Sequence, residues 1–557
     1  MKRLLVCLLV LLMVLSSCAP AAKPDPAPTP ATPPATTPSE TPEEPTPATG
    51  GGILRVSKNV DLNTMDPQYA TDGLSFEGIA ACVDGLYTSD EAGNMVPALA
   101  TEMTVSDDSL TYTFTLRDAQ WSNGDPVTAH DFVYAWQRLG SAELASEYAY
   151  ILGVAGIKNA DAIVAGEMDS KELGVSAPDD KTLVVELERP VAFFDKLMAF
   201  PPFFPANQKF VEQAGAQYGL TPETMLYCGP FMWTEWISDN SFSFVKNPTY
   251  WDADAVKLDG LEFKVARDEQ SAVLDFESGN TDYVYLSGEL VSRYKDEPGY
   301  SIQLGSWLWF LQVNHYDPKL DDENLMKAIS LAFDRELIAN NVLQDGSIAA
   351  VGFVPRKLAS DSKGVDFRDS AGKYFTEGKD KAKEYWEAYK ADKGVDAFEF
   401  ELIFEDSEQS KKVAEFMKSE IETTLAGMTV NLKSVPKKTR LEIMRGKELD
   451  YDMGLQRWGP DYADPATYLD LYAVPENRGG YTRPEYEAYV EKYKSADITP
   501  DERWQVMLEA EDFLLKSAMG PIPVYQTGAA QMWNPKVKGV LNLTVGTPFL
   551  YKDAYFE

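Results

Sequence analysis

Strand-like and helix-like patterns alternate along most of this 557-residue chain, which predicts an α/β fold. Two further observations set its scale. About 500 residues follow a proline-rich stretch ending near Gly52, more than one hydrophobic core serves, so two or three lobes are expected. No repeat of about 20–50 residues is visible, which argues against a solenoid or propeller.

The chain opens with Lys2 and Arg3, then the apolar run Leu4 to Leu15, closed by Ser16, Ser17 and Cys18. That run is too short to span a bilayer as a mature helix and reads as a secretory signal over residues 1–17. Ala19 to Gly50 is almost only Pro, Ala, Thr and Glu. It has no apolar periodicity and cannot bury enough surface to fold. About 30 residues at roughly 3.1 Å each would reach about 90 Å, so 18–52 reads as a tether.

In the body, Ile53-Leu54-Arg55-Val56 is a strand and Ser75 to Tyr87 has helical spacing. Leu110 to Leu116 (L-T-Y-T-F-T-L) alternates apolar residues with Thr, as a half-buried strand does. After the turn Trp121 to Pro126, Thr128-Ala129-His130-Asp131 has the form of a capping box that starts a helix through Leu139. His130 in that turn reads as an exposed helix-start residue. Thr182 to Leu187 is a strand, Tyr218 to Met225 reads as helix, and Phe231 to Val245 as a hairpin broken at Ser238-Asp239-Asn240. Asn247 to Trp251 is a tight aromatic turn. Leu261 to Val265 and Asp282 to Leu286 are strands around the helix Ser271 to Phe276. Glu323 to Leu343 is an amphipathic helix pair broken at Asp334-Arg335. Lys381 to Tyr389, Ser410 to Leu425, Arg440 to Met444, Pro484 to Lys494 and Asp501 to Ser517 read as helices. Phe398 to Phe404, Val430 to Val435 and Tyr451 to Leu455, running into Trp458, read as strands.

Composition narrows the function. Lys and Arg number 51 against 87 acids, a net charge of −36, which argues against nucleic acid and against a polybasic membrane patch. Of four cysteines, Cys7 and Cys18 lie in the leader, so the body keeps Cys82 and Cys228. They are too few for a zinc site, and either one disulfide or two buried thiols is open to them. His130 and His315 are the only histidines, and neither has a catalytic context. With no H-E-x-x-H, G-x-S-x-G or P-loop motif, no catalytic residue, metal site or cofactor is expected.

Four segments, in order, resemble the oligopeptide- and dipeptide-binding proteins of ABC importers, solute-binding protein family 5. They are Leu110 to Trp136, N-P-T-Y-W at Asn247 to Trp251, R-W-G-P-D-Y-A-D-P at Arg457 to Pro465, and P-I-P-V-Y at Pro521 to Tyr525. The resemblance implies a two-lobed fold like that of periplasmic binding proteins, with an extra inserted domain and hinge closure over a ligand. Lobe I would comprise 53–83, 206–306 and 527–557, the inserted domain 84–205, and the second ligand-binding lobe 307–526. The cysteine after L-S-S resembles a bacterial lipobox. By that resemblance Cys18 is diacylated and becomes the N-terminus. The chain is then exported and lipid-anchored on the outer face of the bacterial cell membrane, or faces the periplasm in a Gram-negative cell.

A receptor for varied peptides must hold an ammonium, a carboxylate and backbone groups. The resemblance places the ammonium partner at Asp461 and a flanking ring at Trp458, with Arg457 and Gly459 acting through backbone atoms. It places Asp72, Gly73 and Leu74 along the ligand backbone, Tyr148 and Tyr285 in the pocket, and Trp307 and Trp309 near the cleft. The family's best-studied branch gathers basic residues and a histidine round the peptide carboxylate. Here Ser410 and Leu455 stand at two of those positions and only Arg445 remains, while Trp307 and Gly459 replace a disulfide pair of that branch. The implied partners are a peptide, permease subunits of an ABC transporter and, through lipid, a membrane; the protein is expected as a monomer. The same fold with another solute (nickel chelate, haem or oligosaccharide), a peptide-pheromone sensor, and a secreted hydrolase are the competing readings. An aspartate after the Trp-Gly-Pro turn suits an ammonium better than a neutral sugar.

Overall fold

The computed structural model describes residues 51–557 except 91–93, 446–449, 461, 475–477 and 496. The signal segment, Cys18 and the tether therefore lie outside the described residues.

Strand β1 (Ile53–Lys58) buries Leu54 and Val56. Helix α1 (Gly73–Cys82) follows, its first turn closed by Asp72, whose side chain accepts the Ser75 amide at 2.9 Å. It ends at Cys82, short of Tyr87, because Val83 is extended and Gly85 is pressed against Phe204, where a Cβ would come within 2.4 Å. Strands β2 (Ala100–Val105) and β3 (Thr111–Leu116) and helix α2 (Ala129–Leu139) come next. Thr128 and Asp131 form the capping box of α2, and His130 beside them is exposed, 3.5 Å from Asp180. With β4 (Val175–Asp179) and β5 (Thr182–Glu186) they make a four-stranded antiparallel sheet in the order β2-β3-β5-β4. Arg138 ties α2 to the segment after β1 by a fork onto Asp66 at 2.7 and 2.5 Å.

The large sheet is mixed. It takes up β6 (Phe231–Ile237), β7 (Ser241–Lys246), β8 (Gly260–Val265), β9 (Tyr283–Leu286) and the long β10 (Tyr300–Val313). Beyond helices α3 (Glu323–Leu331) and α4 (Lys379–Lys393) come β11 (Phe398–Glu405), α5 (Glu408–Thr424) and β12 (Met428–Val435), a parallel strand–helix–strand unit. Helix α6 (Lys437–Arg445), β13 (Met453–Trp458), α7 (Pro500–Lys516) and β14 (Ile522–Trp533) complete it. The strand order is β12-β11-β13-β10-β14-β9-β1-β8-β7-β6, with Ile348–Ala349 as an eleventh strand on β14.

Two strands join the halves of this sheet. The first part of β10, Tyr300 to Leu304, lies on Gly528 to Met532 of β14, which also pairs with β9. Its second part, Leu308 to Val313, pairs with β13. Between them the β10–β14 register shifts, from Leu304↔Gly528 to Leu308↔Gln526. The buried Gln526 side chain stitches the shift. It donates to the carbonyls of Gly305 (2.8 Å) and Arg356 (2.9 Å) and accepts the Arg356 amide at 2.9 Å. The expected boundaries 306/307 and 526/527 thus fall inside continuous strands.

A second segment departs further from the sequence expectation. Tyr218 to Met225 is not a helix, because Gly219 sits at φ 72° and Pro222 opens only a single 3₁₀ turn, Pro222–Thr224. Cys82 and Cys228 are buried free thiols, held near one another by the Cys228 amide on the Cys82 carbonyl at 3.0 Å.

Candidate functional site

Strand β13 pairs with β10 from Met453 to Trp458 but with β11 only at Met453 and Gly454. Among the described residues, its β11-side edge from Leu455 to Trp458 has no strand partner. Such an edge is a template for another extended chain. Gly459 and Pro460 follow the strand. Asp461, the expected ammonium partner, lies outside the described residues.

Trp458 and the segment Tyr462 to Asp464 are each held by side chains from elsewhere in the fold. The Tyr468 hydroxyl donates to the carbonyls of Trp458, at 3.0 Å, and Ser306. Arg503 grips Asp464 with two bonds of 2.8 and 2.9 Å, and Asp464 in turn caps the Ala466 amide at 3.0 Å. The Tyr462 ring stacks on Phe193 at 3.9 Å and 6°, and Lys196 donates to the Ala463 carbonyl at 2.9 Å.

Four predicted residues meet on β10 and β13. The Trp307 ring lies on Gly459, where a Cβ would be 2.4 Å from it, so only glycine fits there. Trp307 is 49% exposed, whereas Trp309 is 1% exposed, enclosed by Tyr525, its stacking partner at 5.6 Å, and by Arg457. A ligand would reach Trp309 only past those neighbours. Arg457 lies over both indoles, at 5.5 Å from Trp307 and 5.1 Å from Trp309. Trp458 lies against the Arg478 guanidinium, 4.5 Å from its ring, and its buried Nε1 has no hydrogen-bond partner among the described residues.

The remaining predicted residues stand apart from these. Asp72 spends both carboxylate oxygens on Ser75, at 2.9 and 2.8 Å, as the cap of α1. Gly73 packs on Pro548 and Leu74 is buried. Tyr148 joins that side, 5.7 Å edge-on from Phe76 of α1 and stacked on Tyr150 at 5.8 Å. Tyr285 is half-buried on β9; burial, then the charges of Asp345 and Glu269, push its phenol up to about 12. Arg445 is exposed at the end of α6, Leu455 is buried, and the Ser410 hydroxyl is buried without a partner among the described residues.

A cavity of about 750 Å³ opens beside the turn, between α1 (Ala80, Val83), Leu197 to Phe204, Lys357 to Ser362, Thr544 and Tyr462–Ala463. Among the described residues none of the predicted ones lines it; it reaches Tyr462. The Phe193–Tyr462 stack, the Asp464–Arg503 clamp and the Arg457–Trp309–Tyr525 row were not foreseen. Asp464 and Tyr525 do lie in two of the quoted motifs, which was the available signal.

The comparisons with known proteins now bear on this geometry. A family model, bacterial extracellular solute-binding proteins, family 5, matches residues 94–480. The chain belongs to that family. A dipeptide-binding protein of Lactococcus lactis subsp. cremoris is 32% identical over 528 residues, covering 90% of this chain and 94% of that protein. A solved structure of Listeria monocytogenes OppA bound to peptide is 33% identical, with a TM-score of 0.72 over 91% of this chain and 99% of that one. The substrate-binding domain of an oligopeptide ABC transporter from Bacillus anthracis str. Ames is 36% identical, with a TM-score of 0.73 over 91% of this chain and 100% of that one. The α/β fold here is the multi-domain fold of these family 5 proteins, and their function is solute binding.

Proposed function

We propose that this chain captures oligopeptides between its lobes and passes them to an ABC importer. The observation that carries the reading is the β11-side edge of β13 from Leu455 to Trp458, which has no strand partner among the described residues. A peptide laid along Leu455 to Trp458 as an added strand satisfies backbone groups without reading side chains. Its ammonium meets Asp461, and Trp458 and Trp307 flank its first side chains. The relatives named for dipeptide and oligopeptide binding support this reading. In it the chain is a receptor and not a catalyst.

The lobes are 53–83 with 206–306 and 527–557, the inserted domain 84–205, and the second lobe 307–526. The register shift of β10 and β14 serves as the hinge. Cys18 carries the lipid, and the tether holds the body off the membrane while permease subunits receive the ligand. Native mass spectrometry of the purified chain tests the central point, because a receptor of this kind retains bound peptide. A ligand population of sugar, haem or metal chelate in place of peptide would contradict the reading.

A further inference from the structure

An exposed hydrogen bond spans the two sides of the β10–β14 register shift. On the first side, Gln303 of β10, paired opposite Ala529, donates to the Leu543 carbonyl at 3.4 Å. Leu543 opens the loop of a hairpin made by Leu541–Asn542 and Phe549–Leu550, and its amide donates to the Pro548 carbonyl at 3.0 Å. On the second side, Gln526, paired opposite Leu308, holds both the amide and the carbonyl of Arg356 at 2.9 Å. The Thr544 hydroxyl joins the two by donating to the Lys357 carbonyl at 2.8 Å. Thr544 thus follows a residue tied to one half of β10, and Lys357 follows a residue tied to the other.

The Lys357 carbonyl is held in place for this bond. Lys357 has φ 62°, a left-handed backbone that a residue with a Cβ seldom adopts and that persists only where its surroundings impose it. Asp366 accepts its amide at 2.6 Å, and Gln526 fixes the residue before it. Lys357 and Thr544 both line the cavity of about 750 Å³. A hydrogen bond that bridges the two sides of a hinge has to break when those sides part.

We propose that the Thr544 hydroxyl is a clasp, holding the two sides of the hinge together at this cavity and slowing release of bound peptide. This rests on the peptide reading above and on the hinge placed there at the register shift. Thr544 is a positioning residue: it acts through the Lys357 backbone and not on the ligand.

Two variants separate the hydroxyl from the shape around it. Thr544→Val removes the hydroxyl and keeps the volume, and Thr544→Ser keeps the hydroxyl. Amide hydrogen exchange of the ligand-free full chain is the first measurement. Thr544→Val should exchange about two- to ten-fold faster over 354–359 and 541–548, by the net strength of one hydrogen bond, with β3 unchanged. Thr544→Ser should keep native rates. Stopped-flow fluorescence with tetra-alanine is the second. Thr544→Val should release it about two- to ten-fold faster at an unchanged association rate, and Thr544→Ser as the native chain does. Unchanged exchange over those segments overturns the clasp, and so does faster exchange everywhere, β3 included, which would make Thr544 a general stability contact. Unchanged release from Thr544→Val overturns it too and leaves the peptide reading standing. No binding of tetra-alanine by the native chain overturns the peptide reading, and the exchange rates still decide the clasp.

Discussion

Three buried carboxylates, those of Asp66, Asp464 and Glu511, are each held by a guanidinium fork. Glu511 is fully buried, takes both Arg368 terminal nitrogens (2.6 Å for Nη1–Oε1), and accepts the amides of Phe353 (2.9 Å) and Val354 (2.8 Å). Removing its charge strands a buried arginine, so Glu511→Gln should lose about 3–5 kcal/mol of unfolding free energy in urea. A loss under about 1 kcal/mol would show that the pair is replaceable. Asp84 gives a pH dependence. Burial, opposed by Trp251, Tyr250, Lys552 and Arg117, raises its carboxyl to about 6. A folded value above the unfolded one contributes stability at low pH that is lost as pH rises through about 6. The native chain should therefore lose stability between about pH 4 and 6.5, and Asp84→Asn should flatten that part of the profile. An unchanged slope in the variant would assign it to other groups. At this scale the sequence was half legible. R-W-G-P-D-Y-A-D-P contains Asp464, but nothing near it names Arg503 as its partner, because that pairing is made by the fold. Arg457 was read for its backbone, since a lone arginine on a strand does not announce the rings that will seat it.

Elements with strong periodicity were legible. L-T-Y-T-F-T-L became β3, T-A-H-D capped α2, and the strand–helix–strand run 398–435 became β11, α5 and β12. The two long strands were not. Gly305 and Ser306 interrupt the alternation of β10, and its first half is polar or half-exposed, so fourteen residues did not read as one strand. Phe193 and Lys196 reach across the chain to Tyr462 and the Ala463 carbonyl. An aromatic stack contributes about 0.5–1.5 kcal/mol. Phe193→Ala should weaken peptide binding roughly two- to ten-fold by that arithmetic, mainly by faster release. Stopped-flow dissociation measures it. An unchanged off-rate would make the stack packing alone.

At the scale of the whole molecule the proposed lipid anchor at Cys18 is open to test. Cys18→Ala should leave the body folded and release it from membranes. Full retention of the variant on membranes after a high-salt wash would contradict the lipid anchor. The α/β fold was legible in the alternating pattern and through family resemblance, whereas the long strands that run through it were not, since pairing across β10 and β14 depends on partners over 200 residues apart. The account turns on the ammonium at Asp461. A charge pair closed off from water should lose about 3–5 kcal/mol when one partner is neutralised. The decisive measurement is calorimetric affinity for one peptide, free and N-acetylated, on the native chain and on Asp461→Asn. The account predicts a loss of roughly a hundred- to several-thousand-fold from either change and little further loss from both together. Equal affinity of the native chain for the free and acetylated peptides would contradict it.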